Sequence, residues 1–385
     1  MIPYGKHEII DEDIEAVIQV LKSDYLTQGL KVPEFERMIA KYCETGHAVA
    51  ANSATSALHV ACLSLGLGKG DVLWTSANTF VASANCALYC GASIDLVDID
   101  PRTYNISTEA LEQKLKAAKL SGKLPKIVIP VSFAGHSCDM KKISELSKEY
   151  GFFIIEDASH AVGSRYKNIP VGSCRYSDIT VFSFHPVKII TSGEGGMCLT
   201  NNPELGRKLK LFRDHGINRF PDLMVNGTEG PWYFEQIQLG YNYRMTDIHA
   251  ALGISQFKRL DDIILKRRAI VKEYNEELKH LPLLLPIEKD DVYSSYHLYV
   301  VRVETHKLHK SFLDIFNELR SNGIGVGKHY IPVYKHPHYR ALGLCEKDFP
   351  VTEAYYKDAL TLPLYPSMTK ESFQLVLDAL TNVLI

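Results

Sequence analysis

Lys188 lies in Ser183-Phe184-His185-Pro186-Val187-Lys188, just ahead of the glycine cluster Gly193-Glu194-Gly195-Gly196. Asp157 closes an earlier apolar run, Gly151-Phe152-Phe153-Ile154-Ile155-Glu156-Asp157. Both follow β-like segments, and ligands of open α/β sheets sit beyond the carboxyl ends of strands. An amine that condenses with an aldehyde and a carboxylate that keeps a ring nitrogen protonated are the two groups pyridoxal 5'-phosphate (PLP) requires of a protein. Lys188 is therefore the expected anchor, and also the base that shifts a proton at the α-carbon of an amino donor. Most lysines are solvated surface charges, but this one stands between a strand candidate and glycines that let backbone approach a ligand closely.

Asp157 taken alone could equally cap a helix opening at Asp157-Ala158-Ser159-His160; beside Lys188 it reads as the partner of the ring nitrogen. His160, three residues on and on the same face of such a helix, would stack on the ring or reach its phenolic oxygen. A cofactor phosphate needs backbone N–H donors and hydroxyls, and the strand-to-helix turn Asn52-Ser53-Ala54-Thr55-Ser56 offers them, with Ala54 and Thr55 at the helix start. Ser183 adds a hydroxyl, and Phe80 is a candidate for stacking on the open ring face, although a buried core phenylalanine is the commoner use of that residue. Two other glycine patterns carry no such expectation. Gly66-Leu67-Gly68-Lys69-Gly70 follows a helix, and Gly323-Ile324-Gly325-Val326-Gly327-Lys328 continues with His329 where a P-loop needs Ser or Thr. His336, Pro337 and His338 lack further ligands at a metal spacing, so no metal site is expected.

The elements that must position these residues alternate. Strand candidates fall at residues 47–51, 71–75, 94–97, 127–131, 152–156, 178–184 and 196–200, with helical patterns at 10–21, 54–65, 107–118 and 140–150. Gly66 and Gly68 stop one of those helices. The alternation predicts an α/β fold with a mostly parallel sheet between helices. After residue 252 the pattern changes to a long charged helix at 258–278, a strand at 297–303, a helix at 312–319, and a closing helix whose Phe373, Val376, Leu377, Leu380 and Leu384 share one face. A large PLP-binding domain over residues 1–252 and a smaller α+β domain over 253–385 are the expected units.

With 43 basic against 45 acidic residues, a net charge of −2 argues against nucleic acid as partner. The eight cysteines form no CxxC pair and are expected to be reduced and mostly buried. Residues 72–94 carry no charge, but their Thr, Ser and Asn side chains make a membrane span costly. The first residues lack a signal-peptide pattern, so a cytoplasmic protein is expected.

Leu26-Thr27-Gln28-Gly29, residues 52–58, Glu156-Asp157-Ala158-Ser159-His160-Ala161, residues 183–196 and Gly240-Tyr241-Asn242-Tyr243-Arg244-Met245-Thr246-Asp247, in this order, resemble the DegT/DnrJ/StrS family of sugar aminotransferases across nearly the whole chain. The resemblance implies a fold type I PLP-dependent transferase and a homodimer with active sites at the subunit interface. It also implies an amino group moved from L-glutamate to a nucleotide-linked keto sugar, with Asn242 reaching the cofactor phosphate of the neighbouring subunit. Residues 183–191 and the segment His329-Tyr330-Ile331-Pro332-Val333-Tyr334 are most similar to the branch serving pseudaminic acid biosynthesis, which implies a UDP-linked 4-keto-6-deoxy-N-acetylhexosamine as acceptor. His329 and Arg219 are candidates for substrate contacts. The family's dehydratase branch carries histidine in place of the cofactor lysine, and a non-catalytic sensor would be expected to lose Lys188 or Asp157; this chain keeps both. The same chemistry on a dTDP- or GDP-linked keto sugar is the alternative.

Overall fold

The apolar runs become the strands of one sheet in the computed structural model, which describes residues 1–219, 224–227 and 229–385. β1 (His47–Ala51), β2 (Val72–Ser76), β3 (Ser93–Val97), β4 (Ile127–Ile129) and β5 (Phe153–Asp157) come first. β6 (Arg165–Tyr166) and β7 (Ile169–Pro170) form a small hairpin, and β8 (Ile179–Ser183) and β9 (Gly196–Thr200) return to the main sheet. Its seven strands lie in the order β1-β9-β8-β5-β4-β2-β3. Only β9 runs against the others, pairing antiparallel with both β1 and β8. All five residues of β8 are buried, as expected for a strand covered on both faces.

Among the described residues nine α-helices precede the C-terminal part: α1 (Asp11–Leu21), α2 (Lys31–Cys43), α3 (Ala54–Ser64), α4 (Ala82–Tyr89), α5 (Thr108–Ser121), α6 (Met140–Tyr150), α7 (Pro203–Arg213), α8 (Asp247–Phe257) and α9 (Leu260–Glu277). Side chains alternate across a strand, so neighbouring residues of β4 serve different cores. Ile127 and Ile129 pack with α3, α4 and α7, whereas Val128 packs with α5 and α6. Ser53, Ser107, Asp139, Asn202 and Thr246 each cap a helix by accepting a backbone N–H, which explains why those helices begin where they do. The uncharged stretch from residue 72 to 94 becomes β2, α4 and the start of β3. Among the described residues no helix is long and apolar enough to cross a membrane. All eight cysteines are free thiols; five are buried, and only Cys345 is exposed.

A second core gathers around an antiparallel three-stranded sheet of residues Leu283–Leu284, Tyr299–Val303 and Ala359–Leu362, covered by helices Phe312–Ser321 and Lys370–Leu384. Val376, Leu377, Leu380 and Leu384 are buried in it and Phe373 packs against it, the face expected of the closing helix. Residue 252 falls inside α8, and it is α9 that joins the two cores: Leu260, Ile263 and Ile264 pack in one, Val271 and Tyr274 in the other. Ile2 packs on the second core and Tyr4 accepts a hydrogen bond from Leu364 N–H. We propose that the division between the units runs through α9, with the first residues joining the smaller one.

Arg267 marks the crossing point. It is 2% exposed, and its Nη1 lies 3.3, 3.3 and 3.2 Å from the carbonyl oxygens of Tyr296, His297 and Leu364. No carboxylate among the described residues pairs with it, and burial pulls the guanidinium down to about 10. Arg267→Met keeps the apolar stem and removes the donors from three carbonyls. It should lower unfolding stability in urea by about 2–4 kcal/mol; a loss below about 1 kcal/mol would show that those carbonyls find other donors.

Candidate active site

β5 and β8 are parallel neighbours, with Asp157 registered opposite Val181. Both strands therefore end on the same edge of the sheet, where a cavity of about 610 Å³ opens beside the start of α3. Lys188 enters it from the loop between β8 and β9. That loop is pinned at its base by Phe184 N–H to Gly195 O (2.9 Å) and Ser192 N–H to Phe184 O (3.0 Å). Thr191 Oγ1 donates to Phe184 O (3.1 Å) and accepts from Gly193 N–H (2.9 Å), a tight turn in which Gly193 sits at φ +81°. Lys188 is half-buried, and burial pulls its amine from the ordinary 10.5 down to about 8, against the charge of Asp157, which raises it.

Asp157 is buried at the end of β5. Ser83 Oγ donates to its Oδ2 (2.6 Å) and Ser159 N–H to its Oδ1 (3.1 Å), while Ser83 is itself joined to Thr79 Oγ1 (3.0 Å). A carboxylate has about four acceptor sites, so these contacts orient the group and leave room for a further N–H. Glu156, one residue earlier, points through the opposite face to Ser132 and Thr180, and burial lifts its carboxyl to about 7. No helix opens at Asp157, contrary to one reading of the sequence: a turn closed by Ala161 N–H to Ala158 O (2.8 Å) brings His160 to the cavity instead.

His160 is buried, with Nδ1 accepting from Ala134 N–H (3.2 Å) and Nε2 paired with Tyr330 Oη (2.9 Å). The His297 ring lies 4.4 Å from it, centroid to centroid. His329, also in the wall, has Nδ1 2.8 Å from Thr361 Oγ1. Burial, then the nearby positive charge of Lys188, pushes His160 well below 6.5 and His329 to about 4; burial, then His160, pushes His297 down as well. At neutral pH these imidazoles are uncharged, and the Lys188 amine is the base that titrates near the working range.

At the other end of the cavity Ser53 caps α3 by accepting from Ser56 N–H (3.1 Å), which leaves the N–H groups of Ala54 and Thr55 without a protein acceptor among the described residues. Gly196 lies against this turn so closely that a Cβ there would meet Ala54 N and Ser53 O at 2.5 Å. Asn52 Oδ1 is buried without a partner among the described residues, and Ser183 completes this part of the wall. Phe80, 56% exposed, stands at the rim with its ring 6.0 Å from that of Tyr330, not in the core. The expected residues Ala54, Thr55, Phe80, Asp157, His160, Ser183, Lys188 and His329 thus share one cavity. Asn242 and Arg219 do not line it. Asn242 is exposed, bridging Asp214 through backbone, and Arg219 is exposed with its guanidinium 4.9 Å over the Phe234 ring. Sequence reasoning singled out neither Tyr330, His297, Thr79 nor Ser83; the adjacency of Tyr330 to His329 was the one available signal.

The profile of the DegT/DnrJ/EryC1/StrS aminotransferase family matches residues 7–381. A Campylobacter jejuni protein named UDP-4-amino-4,6-dideoxy-N-acetyl-beta-L-altrosamine transaminase is 40% identical over 385 residues, covering 100% of this chain and 98% of that one. Helicobacter pylori PseC, an aminotransferase of pseudaminic acid biosynthesis, superposes with a TM-score of 0.89 at 31% identity, covering 100% and 99% of the two chains. The PLP-form of Streptococcus pneumoniae Spr1654 does so with a TM-score of 0.88 at 29% identity, covering 99% and 98%. The residues present fit PLP: a helix N-terminus with free N–H groups and a glycine-lined approach for the phosphate, a hydrogen-bonded carboxylate, and an amine with a lowered pKa.

The Lys188 shift has a measurable sign. Between about 8 and 10.5 the folded, cofactor-free chain holds this amine neutral while the unfolded chain holds it protonated, so this group's contribution to stability increases with pH across that window. In cofactor-free protein, amine-directed acylation followed by peptide mass spectrometry should reach half its limiting rate at Lys188 near pH 8. A midpoint at the value of an exposed lysine, about 10.4, would contradict the environment described.

Proposed function

We propose that this chain, which belongs to the DegT/DnrJ/EryC1/StrS aminotransferase family, transfers the amino group of L-glutamate to C4 of a UDP-linked 4-keto-6-deoxy-N-acetylhexosamine in pseudaminic acid biosynthesis. That it is a PLP-dependent sugar aminotransferase follows from the family. The observation that carries the reading is the meeting of Lys188, Asp157 and the start of α3 in one cavity. Full-length similarity to the Campylobacter jejuni transaminase supports the choice of acceptor. Eight free cysteines fit a reducing compartment, and we place the reaction in the cytoplasm.

Bound PLP supplies an aldehyde that holds the amino group between substrates and a ring that accepts electrons. Lys188 would anchor it and would also take the proton from the donor α-carbon; an amine near 8 is partly unprotonated at neutral pH and able to do so. Asp157 keeps a proton on the ring nitrogen, held in place by Ser83 and Ser159. Ala54, Thr55 and Ser183 would hold the phosphate, Phe80 would stack on the ring, and His160 would stack on it or reach its phenolic oxygen. Burial holds His160 well below 6.5 and His329 at about 4, so both are weaker bases than the Lys188 amine.

The direct test is incubation of purified protein with glutamate and a panel of UDP-, dTDP- and GDP-linked 4-keto sugars, with aminated products identified by mass spectrometry. Amination of the UDP-linked N-acetylated sugar is the expected outcome. Preference for a dTDP or GDP sugar would move the assignment to another substrate within the family. Lys188→Ala should lose turnover altogether, because anchor and base vanish together.

The same reading makes the protein a homodimer with shared sites. Asn242 is exposed and outside its own chain's cavity, as a residue serving the neighbouring subunit must be. Mixing Lys188→Ala with Asn242→Ala protein should restore activity, since one site of each mixed dimer then holds both native residues. With Asn242→Ala alone severely impaired, mixed dimers verified by native mass spectrometry yet no more active than their parents would show that Asn242 serves its own subunit or has only a structural role.

A further inference from the structure

Tyr330 keeps a hydroxyl proton that no described group of the chain takes up. The backbone N–H of Ala134 donates to His160 Nδ1 at 3.2 Å, so that nitrogen is an acceptor and the single proton of the neutral imidazole sits on Nε2. Nε2 then donates to Tyr330 Oη at 2.9 Å. The direction is built into the backbone: Ala134 adopts φ +56°, a left-handed conformation uncommon for a residue with a Cβ, within the turn Phe133–Gly135. Burial and Lys188 keep the imidazole from gaining a second proton, and burial raises the phenol, so neither member of the pair titrates near neutrality.

The ring of Tyr330 is fixed as firmly as its hydroxyl. Asn78 Oδ1 accepts from its backbone N–H at 3.0 Å, and its ring centroid lies 6.0 Å from Phe80 and 6.3 Å from Phe133. Having accepted from His160, the hydroxyl donates away from it, and Tyr330 forms part of the cavity wall. Donors in series polarise one another, which strengthens the last one.

We propose that Tyr330 is the hydrogen-bond donor to the carbonyl oxygen of the keto sugar, its direction set by Ala134 and His160. This rests on the sugar-aminotransferase reading of the cavity. A neutral donor held by rigid neighbours suits an oxygen that is uncharged in the substrate and gains negative charge as an amine adds to its carbon. The carboxylates of glutamate are better met by cations. Tyr330 is thus a specificity-determining contact for one substrate of the pair.

Tyr330→Phe preserves the ring and removes the hydroxyl. In single-turnover experiments on the holoenzyme, the glutamate half-reaction should stay within about two-fold of wild type, while the keto-sugar half-reaction slows on the order of ten- to a hundred-fold at saturating sugar. Equal loss in both halves, loss confined to the glutamate half, or a changed absorption spectrum of the resting cofactor would overturn the assignment, the last by showing that the hydroxyl faces the cofactor. A readout independent of turnover is the ring of His160 in cofactor-free protein labelled with 15N-histidine: shifts of the Nε2–H tautomer support the relay, and those of the Nδ1–H tautomer overturn it. Wild-type protein inactive on every 4-keto sugar would remove the functional reading and this inference with it. An active wild type with an unimpaired Tyr330→Phe sugar half-reaction would remove this inference alone.

Discussion

The pairing of β5 with β8 is the constraint from which the site follows. Asp157 is registered against Val181, two residues before the strand ends at Ser183, and neighbouring strands lie about 4.8 Å apart. The carboxylate and the root of the lysine loop are therefore set side by side by backbone hydrogen bonds alone. The reversal of β9 does the rest. A parallel successor to β8 would need a crossover that carries the chain to the far edge of the sheet, whereas antiparallel β9 starts beside the end of β8, with Gly196 registered against Ser183. Both ends of the loop carrying Lys188 are thereby kept at the edge where Asp157 emerges.

Gly196 connects this hairpin to the anion-binding end of the cavity. It is registered against Ser183 on one side and Ala51 on the other, so the end of β8 and the turn into α3 meet across a single residue without a side chain. A Cβ there would press on the Ser53–Ala54 peptide, the piece of backbone whose orientation decides where the first N–H groups of α3 point. The electrostatics follow from the same compactness. Three imidazoles crowded into a low-dielectric wall near a lysine are held neutral by burial first and by one another's neighbours second. Lys188 and Asp157 bring to this wall the amine and the carboxylate that PLP chemistry requires.

Much of this was legible in the sequence because it is local. Strands 47–51 and 196–200 match the structure residue for residue, and the other strand candidates of the main sheet agree to within two residues at every boundary, since short buried runs between glycines and caps leave little choice. Lys188, Asp157, Ala54, Thr55 and Ser183 were readable because each sits at the end of such a run. α4 was not read as a helix: Ala82–Tyr89 is small and apolar, buried in the sheet's cover, and lacks the polar face that would reveal its period. Ser83, which orients Asp157, was missed for the same reason and because it lies 74 residues away in the chain. Tyr330, 170 residues from His160, could be placed beside it only by the tertiary fold. Arg219 was chosen for its charge alone, and the fold puts it on the surface beside Phe234.

The histidine wall shows why the two cores act together. His160 comes from the main sheet, but two of its neighbours come from the later part of the chain: the His297 ring lies tilted 4.4 Å from it, in the segment before strand Tyr299–Val303, and Tyr330 receives its proton donation. His329 is held by Thr361 in the strand Ala359–Leu362 of the second sheet. Arg267, at the crossing of α9 between the cores, grips the carbonyls of Tyr296 and His297 and so fixes the height of His297 behind His160. A buried guanidinium with no counter-ion among the described residues is an expensive way to hold backbone. It serves to hold the second core in one register against the first, because a shift of an ångström there would move His297, Tyr330 and His329 together and open the hydrogen bonds of His160 to Tyr330 and of His329 to Thr361.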